Sequence, residues 1–223
     1  MIRASLVLAL LLPSGTQSFG SAPARLAQDK EEGFEPVFNG MDWTGIKFFL
    51  GAKTNEETKT FSIVDGTIVC TGKPNGYWYT EKKYRDCTLR FDYRFARPAD
   101  LQDDSKFSGN SGYLFFITEH KVWPYSLETQ GHDRTVGNIF FIGAKAKEKN
   151  KAKVDAEARA KALKPVGEWS SYEVVVKDGA ITVSVNGAKI TEVSSHEYTE
   201  AGHIGFQSEG REIHWKNVRI KAN

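Results

Sequence analysis

The sequence has few of the residues that mark metal-binding or disulfide-rich domains. It contains two cysteines, Cys70 and Cys87, and five histidines in 223 residues. Two cysteines are too few for a thiolate zinc site. They could form one disulfide in an oxidising compartment, or both could be small buried hydrophobic side chains. The sequence leaves these two alternatives open.

An excess of charge of one sign is also lacking. Thirty Lys and Arg residues stand against 28 Asp and Glu residues, which gives a formal net charge of +2. A surface for nucleic acid would need a clear basic excess, so nothing indicates a nucleic-acid partner. Part of the mild basicity comes from one lysine-rich stretch, "AKAKEKNKAKVDAEARAKALK".

Apolar runs long enough to cross a membrane are lacking as well. The stretch "ASLVLALLLP" has about ten residues, whereas a membrane-spanning helix needs roughly 20. It follows the positive start "MIR" and precedes the small residues of "SGTQSFGSA", a pattern typical of a cleaved signal peptide. We therefore expect a signal peptide at residues 1–22 and a disordered polar linker at 23–32. The mature protein is expected to be secreted or periplasmic, with no stable membrane insertion.

Three common catalytic motifs do not occur in the sequence. There is no nucleophilic-serine elbow, no phosphate-binding loop and no HExxH zinc motif. His132 and His203 also lack the spacing of a metal-ligand pair. A functional site therefore has to come from less regular groups of polar residues.

What the sequence does contain is a series of short alternating segments joined by tight turns. Asp65-Gly66, Asp178-Gly179 and Asn186-Gly187 each separate two such segments. These dipeptides favour two-residue hairpins, because both central positions of the turn need a positive φ. The stretch "SYEVVVKDGAITVSVNGAKITEV" thus predicts a three-stranded meander.

The number and length of these segments indicate the fold class. We count ten or more short strands, few helices and no repeat, which predicts an all-β sandwich of two sheets over residues 33–222. The one helix candidate is the Ala/Lys-rich insert around Lys147 to Leu163. It is polar on nearly every side, so we expect it in solvent rather than in the core.

The stretch "WPYSLETQGHD" has an unusually polar strand face. Successive side chains of a strand point to opposite sides, which places Ser126, Glu128, Gln130 and His132 together. Together with Asp133, this face offers a carboxylate base, hydrogen-bonding groups and oxygen and nitrogen ligands for a metal. The alternative is a strand face that is merely exposed to solvent.

Other polar positions have both a functional and an ordinary interpretation. In "SGNSG", Gly109 and Gly112 would permit close backbone approach and Asn110 could orient a hydroxyl, or the segment is an ordinary loop. Gln207 and Glu209 share one face of "HIGFQSEG" and present the same choice.

Charged and aromatic side chains elsewhere could also line a cleft. Asp92 and Arg94 face away from the core of their strand, so they form either a salt-bridged outer surface or part of a ligand cleft. Trp169 could stack on a sugar ring, as could Trp78 and Trp123, although tryptophans of a sandwich are more often core. Trp215, with Ile213, is expected in the core.

Several blocks, in the same order, resemble one known family. They include "GFEPVFNGMDWTGI", "GNSGYLFFI", "LETQG" and "GHIGFQSEGREIHWKNVRIK". The chain from about Gly33 to Lys221 is similar to the 3-keto-disaccharide hydrolase domain family. This resemblance implies a concanavalin A-like jelly-roll sandwich, in agreement with the class expected from the pattern. It also implies cleavage of glycosides whose sugar has already been oxidised at C3.

The implied reaction gives the candidate residues their roles. Glu128 would be the base and His132 the acid or the stabiliser of the enolate, while Asn110, Gln130 and Glu209 would hold hydroxyls. No cofactor is firmly implied, and a divalent metal ion bound by Glu128 and His132 is left open. The residues expected to contact the carbohydrate are Asn110, Gln130, Asp133, Arg94, Asp92, Gln207, Glu209 and Trp169.

Two other functions remain open at this point. The same sandwich could be a non-catalytic, lectin-like carbohydrate-binding module, or an envelope protein that mediates protein contacts, because fold does not fix function. A lectin-like module predicts a cleft dominated by aromatic side chains. An enzyme predicts a carboxylate or imidazole with a perturbed pKa at the floor of a pocket.

Overall fold

The computed structural model describes residues 31–51, 57–143, 152–198 and 200–223. In chain order the strands are β1 (Glu35–Pro36), β2 (Ile46–Leu50), β3 (Phe61–Val64), β4 (Thr67–Cys70), β5 (Gly76–Thr80), β6 (Cys87–Phe95), β7 (Gly112–Ile117), β8 (Ser126–Gln130), β9 (Ile139–Ile142), β10 (Lys153–Val154), β11 (Ser170–Lys177), β12 (Ala180–Val185), β13 (Ala188–Val193), β14 (His203–Ser208) and β15 (Ile213–Ala222). The helices are α1 (Glu57–Thr60) and α2 (Ala156–Ala162), with a 3₁₀ turn at Asp104–Lys106.

The strands form two antiparallel sheets. Sheet A has the order β10-β13-β12-β11-β6-β15-β4-β3, and β1 also pairs with β15. Sheet B has the order β2-β5-β14-β7-β8-β9. The all-β sandwich expected from the sequence is confirmed.

The three predicted hairpin turns are confirmed by their backbone angles. Asp65 and Gly66 have φ values of 48° and 73° between β3 and β4. The pairs at 178–179 and 186–187 also have two positive φ values each, and they join β11 to β12 and β12 to β13. The predicted meander is therefore present, because these turns match the twist of the strands that they connect.

The core lies between the two sheets and follows from strand alternation. On β6 the alternate residues from Cys87 to Phe95 are buried, while the residues between them face outward. From sheet B, Trp78 and Phe206 stack in the core with ring centroids 4.0 Å apart. Trp215 is fully buried, as expected. Trp78 is fully buried too, so its interpretation as a sugar-stacking side chain is wrong.

The two cysteines are free and buried, which settles the alternative left open by the sequence. Cys70 pairs with Ile213 at one end of β15, and Cys87 pairs with Ala222 near the other end. Nine residues of extended strand span roughly 30 Å, far beyond the reach of a disulfide. Burial raises the pKa of Cys70 to about 11 and that of Cys87 to about 12, so both thiols stay protonated.

The lysine-rich insert differs from the expected helix. Residues 144–151 lie outside the described part of the chain. Lys153 and Val154 form β10 at the edge of sheet A, and the helix begins only at Ala156. Asp155 caps it by accepting a hydrogen bond from the Ala158 N–H at 2.8 Å. No residue of α2 is buried, in agreement with its predicted exposure.

The expected signal peptide at residues 1–22 and all but the last two residues of the expected linker lie outside the described part of the chain. Glu31 is described, and it accepts a hydrogen bond from Arg219 Nε at 3.0 Å. In the part that the structure describes, no helix is long and apolar enough to cross a membrane.

Candidate active site

Glu128 lies on the outer face of sheet B, as the strand pattern predicted. Leu127 points into the core and is fully buried, so Glu128 and Gln130 point the other way. Only 7% of Glu128 is exposed, although no second sheet formed by the described residues covers this face. The alternative of a merely solvated strand face is therefore wrong for Glu128.

Gly112 provides the space that the Glu128 side chain occupies. It pairs with Gln130 across β7 and β8, and Phe206 pairs with Tyr113, which brings Gln207 of β14 to its other side. A Cβ atom on Gly112 would lie 2.1 Å from Glu128 Oε1 and 2.2 Å from Gln207 Oε1. The two oxygens are therefore at most 4.3 Å apart. Any side chain at this position would fill the space in which the carboxyl and the amide meet.

The Gln207 side chain is buried without hydrogen-bond partners. It is 1% exposed, and neither its Oε1 nor its Nε2 is paired within the described residues. Asn110 Oδ1, near the same end of β14, is also buried and unpaired. An unpaired buried polar group costs about 1–3 kcal/mol, so native proteins usually pair such atoms with protein, water or ligand. These three atoms are suited to hydroxyl or carbonyl groups of a bound molecule.

Two carboxyls of the site favour their protonated forms. Burial, with a smaller contribution from the negative charge of Glu209, raises the pKa of Glu128 to about 7. Burial also raises the pKa of Glu209, and a hydrogen bond from the Asn110 side chain opposes that shift. Both carboxyls therefore bind their protons more tightly than an exposed glutamate does.

The loop before β7 is fastened to both neighbouring strands. Asn110 forms a backbone bridge with Glu209, and Ser111 Oγ donates to the Gln207 carbonyl at 2.9 Å. The Gly109 N–H donates to Asp133 Oδ1 at 3.0 Å, and the Asp133 N–H donates to the Gly109 carbonyl. Asp133 thus holds the Asn110 loop in position, and its expected contact with the substrate stays a prediction.

His132 lies in the turn that follows β8. Its N–H donates to Gln130 Oε1 at 3.0 Å, and its ring Nδ1 accepts the N–H of Arg134 at 3.1 Å. The same Nδ1 atom also lies 3.2 Å from Asp133 Oδ1. The assignment of His132 as acid or enolate stabiliser stays a prediction.

Three expected contact residues lie elsewhere. Asp92 and Arg94 point outward from sheet A, on the far side of the core from Glu128, because the alternate residues of β6 fill the core. Asp92 accepts a hydrogen bond from Asn217 Nδ2, and the Arg94 guanidinium lies 4.7 Å from the Trp169 ring centre. Grouping Asp92, Arg94 and Trp169 with Glu128 in one site was wrong, because alternation fixes the face of a strand and not its sheet.

A comparison of the sequence with models of protein families identifies the family of the chain. Residues 33–221 match the family model described as the 3-keto-alpha-glucoside-1,2-lyase-like domain. The chain belongs to this family. The resemblance inferred from the sequence is confirmed, and membership places this lyase-like domain among carbohydrate-active proteins. No curated protein matches the chain.

Solved structures with the same fold cover most of the lyase-like domain. A candidate glycosyl hydrolase from Parabacteroides distasonis ATCC 8503 has 23% identity and a TM-score of 0.62, covering 86% of this chain and 94% of that one. A second one from the same organism has 19% identity and a TM-score of 0.59, covering 85% and 99%. A Bacillus subtilis protein of unknown function with a galectin-like fold has 12% identity and a TM-score of 0.57, covering 84% and 94%. These likenesses confirm the jelly-roll sandwich.

A metal site at Glu128 and His132 gains no support from the geometry of the domain. Within the described ranges, no three His, Cys, Asp or Glu side chains lie together as ligands. The Nδ1 atom of His132 is already used by the Arg134 N–H. Metal binding by this lyase-like domain therefore stays a prediction without a supporting observation.

Sequence reasoning missed the aromatic residues on the outer face of sheet B. Tyr77 and Tyr79 flank the inward-pointing Trp78 on β5, so the alternation in "GYWYT" could have revealed them. Phe140 of β9 pairs with Glu128 and is 43% exposed. His120 lies in the segment between β7 and β8, where no sequence pattern indicates its position.

Proposed function

We propose that this protein cleaves 3-keto-glycosides, with Glu128 as the base that removes the proton from C2 of the oxidised sugar. The observation that carries the proposal is the buried Glu128 carboxyl, whose pKa is about 7, beside the unpaired amide of Gln207. A base works best when its pKa lies near the operating pH. Membership in a family named for lyases of 3-keto-alpha-glucosides supports the same chemistry.

The reaction needs a base because the ketone at C3 acidifies the C2–H bond. Glu128 takes that proton, and the electron pair delocalises onto the C3 oxygen as an enolate. The enolate then collapses, the C1–O bond breaks, and a C1=C2 double bond forms. The leaving oxygen takes a proton, and water adds across the double bond to give the 3-keto sugar.

The buried amide of Gln207 is suited to the charge that develops in this sequence. A preorganised donor stabilises an oxyanion best in a site that excludes water. Gln207 Nε2 has no partner in the described part of the chain, so it can donate to the enolate oxygen. The negative charge of Glu209 contributes to the raised pKa of Glu128, so we assign Glu209 to holding a substrate hydroxyl and not to the role of the acid. His132 is the candidate acid for the leaving oxygen.

A panel of 3-keto-glycosides and their unoxidised parents tests the proposal. Wild-type protein should release the aglycone from the oxidised members only. Glu128→Gln, which keeps the shape and removes the base, should lower kcat by about 10³-fold. Glu192→Gln, a substitution on sheet A far from the site, is the matched control and should turn over normally.

Two results would contradict the proposal. If folded Glu128→Gln protein cleaves the oxidised members as fast as wild type, Glu128 is not the base. If wild type cleaves neither set, with or without chelator, the lectin-like alternative is favoured, which the aromatic side chains of the same face support.

We also infer that the protein is exported, from the pattern of residues 1–22. Amino-terminal sequencing of the mature protein from its native host tests this inference. A chain that still begins at Met1 would overturn it.

A further inference from the structure

A second cluster of side chains occupies the outer face of sheet B next to the carboxyl site. Tyr77 and Tyr79 of β5 point outward, and the His120 ring packs against both, with ring-centre distances of 6.1 and 4.2 Å. Phe49 of β2 stacks on Tyr77 at 5.5 Å. We call Phe49, Tyr77, Tyr79, His120 and His203 the aromatic cluster.

The two imidazoles of the aromatic cluster are held in place by one nitrogen each. His120 Nδ1 hydrogen-bonds the Tyr77 hydroxyl at 3.1 Å, and His203 Nδ1 lies 2.7 Å from the Thr80 carbonyl oxygen. Their ring centres are 5.5 Å apart. Within the described residues, Nε2 of neither ring makes a hydrogen bond, so each ring has one nitrogen available to a ligand.

The aromatic cluster is continuous with the carboxyl site through the register of the sheet. Tyr77 pairs directly with Gln207, the residue whose buried amide is unpaired. Tyr79 pairs with Gly205, Gly205 with Leu114, and Leu114 with Glu128. Three strand spacings separate Tyr79 from Glu128, or about 14 Å between backbones. Two joined rings can reach across such a span.

The chemistry of the aromatic cluster suits a ring that carries hydroxyl groups. Binding sites for small molecules combine aromatic walls with a few placed polar groups. Phe49, Tyr79 and both histidines are half-buried, so parts of their rings face outward. Burial lowers the pKa of His120, and the positive charges of His203 and Lys83 add to this shift. The imidazole therefore stays neutral and can accept a hydrogen bond from a hydroxyl group.

We propose that the aromatic cluster is the subsite for the leaving group, and that it takes a ring-shaped, hydroxylated aglycone such as a second sugar or a phenol. This assignment rests on the proposed function, because it places the sugar to be cleaved against Glu128. Gln207 lies at the junction, between Gly112 and Tyr77. Phe49, Tyr79 and the imidazoles bind the aglycone and take no part in bond breaking.

Kinetics with two substrates that differ only in their leaving group test the subsite. Tyr79→Ala and His120→Ala should each raise KM for a 3-keto-disaccharide by up to about tenfold. The same variants should cleave the methyl 3-keto-glycoside, which has no ring to bind, within twofold of wild type. Trp169→Ala, which removes an aromatic ring from the opposite face of the sandwich, is the matched control for both substrates.

Two other kinetic results would overturn the assignment of the subsite. An equal loss with both substrates means that Tyr79 and His120 support the fold or the chemistry, and unchanged KM values mean that the ring of the aglycone lies elsewhere. If Tyr79→Ala does not fold, Tyr79→Leu keeps most of the volume without the aromatic face and takes its place.

Calorimetric titration separates a failure of the subsite from a failure of the proposed function. If wild type cleaves neither substrate, the proposed cleavage reaction is wrong, and the binding affinities alone then test the subsite. The disaccharide should then bind wild type about tenfold more tightly than Tyr79→Ala, with the methyl glycoside unaffected. Equal affinities for the two proteins, or no binding to wild type, would overturn the subsite as well.

Discussion

The outer faces of the two sheets carry similar residues and differ in how those residues are paired. On sheet A, Arg90 contacts Glu173 at 2.5 Å, and Asp92 accepts a hydrogen bond from Asn217 at 2.6 Å. On sheet B, Glu128 and Gln207 are more deeply buried, yet the Gln207 amide has no partner in the described residues. The polar groups of sheet A are already paired, whereas the unpaired amide of Gln207 is free to bind a ligand. The contrast separates a paired face from the face that we propose as the functional one.

Among the substitutions that leave the Glu128 carboxyl in place, the largest effect is expected from filling the space above Gly112. Gly112→Ala would place a methyl group 2.1 Å from Glu128 Oε1, which must move. A displacement of about 1 Å at the reacting centre can cost about 100-fold, so kcat/KM for a 3-keto-disaccharide should fall by about that factor. Circular dichroism should show an intact sandwich. A variant with wild-type activity would mean that the reaction does not use the space between Glu128 and Gln207.

A pH-dependent gain in stability is expected from removing the buried charge of Glu128. Its pKa is about 7 in the folded protein and lies near 4.5 when it is unfolded, so folding is penalised as pH rises through this window. Below pH 4.5 the group is neutral in both states, and no penalty applies. Above pH 7 the full penalty applies, which a shift of this size sets at about 3 kcal/mol.

The measurement is denaturant unfolding of wild type and Glu128→Gln at pH 4.5 and pH 8. The variant should gain stability at pH 8 and little at pH 4.5. Glu192→Gln on sheet A should behave in the opposite sense, because hydrogen bonding to Lys189 lowers the pKa of Glu192. If the stabilities of wild type and Glu128→Gln change with pH in parallel, the pKa of Glu128 is not raised in the folded protein.

A smaller effect is expected from Glu209, whose negative charge is the second contributor to the raised pKa of Glu128. Glu209→Gln should move the rising limb of the kcat/KM profile to lower pH by less than about one unit, since burial alone would remain. The dependence of kcat/KM on pH would be measured with a 3-keto-disaccharide, a substrate on which we expect the variant to keep enough turnover. A shift to higher pH would contradict the assignment of the limb to Glu128.

The smallest effect is expected on the paired face. Arg94→Ala removes a guanidinium that lies over Trp169 and donates to His214 Nδ1 at 3.2 Å. Because the core separates Arg94 from Glu128, kcat and KM should stay within twofold of wild type in a standard turnover assay. A tenfold or larger decrease in kcat/KM would show that the outer face of sheet A contributes to the site.

The fold was largely predictable because its signals are local. Asp-Gly and Asn-Gly dipeptides fix the turns, and alternation fixes which side of a strand each residue faces. The outward position of Glu128 was predictable for the same reason. Its burial was not, because Gln207 of β14 and Glu209, which follows that strand, come from far along the chain. Alternation also could not distinguish the face of Arg94 from that of Glu128, since both point outward from their own sheets.

The strand order of sheet B has a consequence for the order in which the site can be completed. β14 lies between β5 and β7, yet it is the last but one strand to be synthesised. Until it inserts, β5 and β7 each have an open edge, and neither Gln207 nor Glu209 is present beside Glu128. A nascent chain that ends before residue 203 can contain the meander of sheet A and every other strand of sheet B, but no complete site.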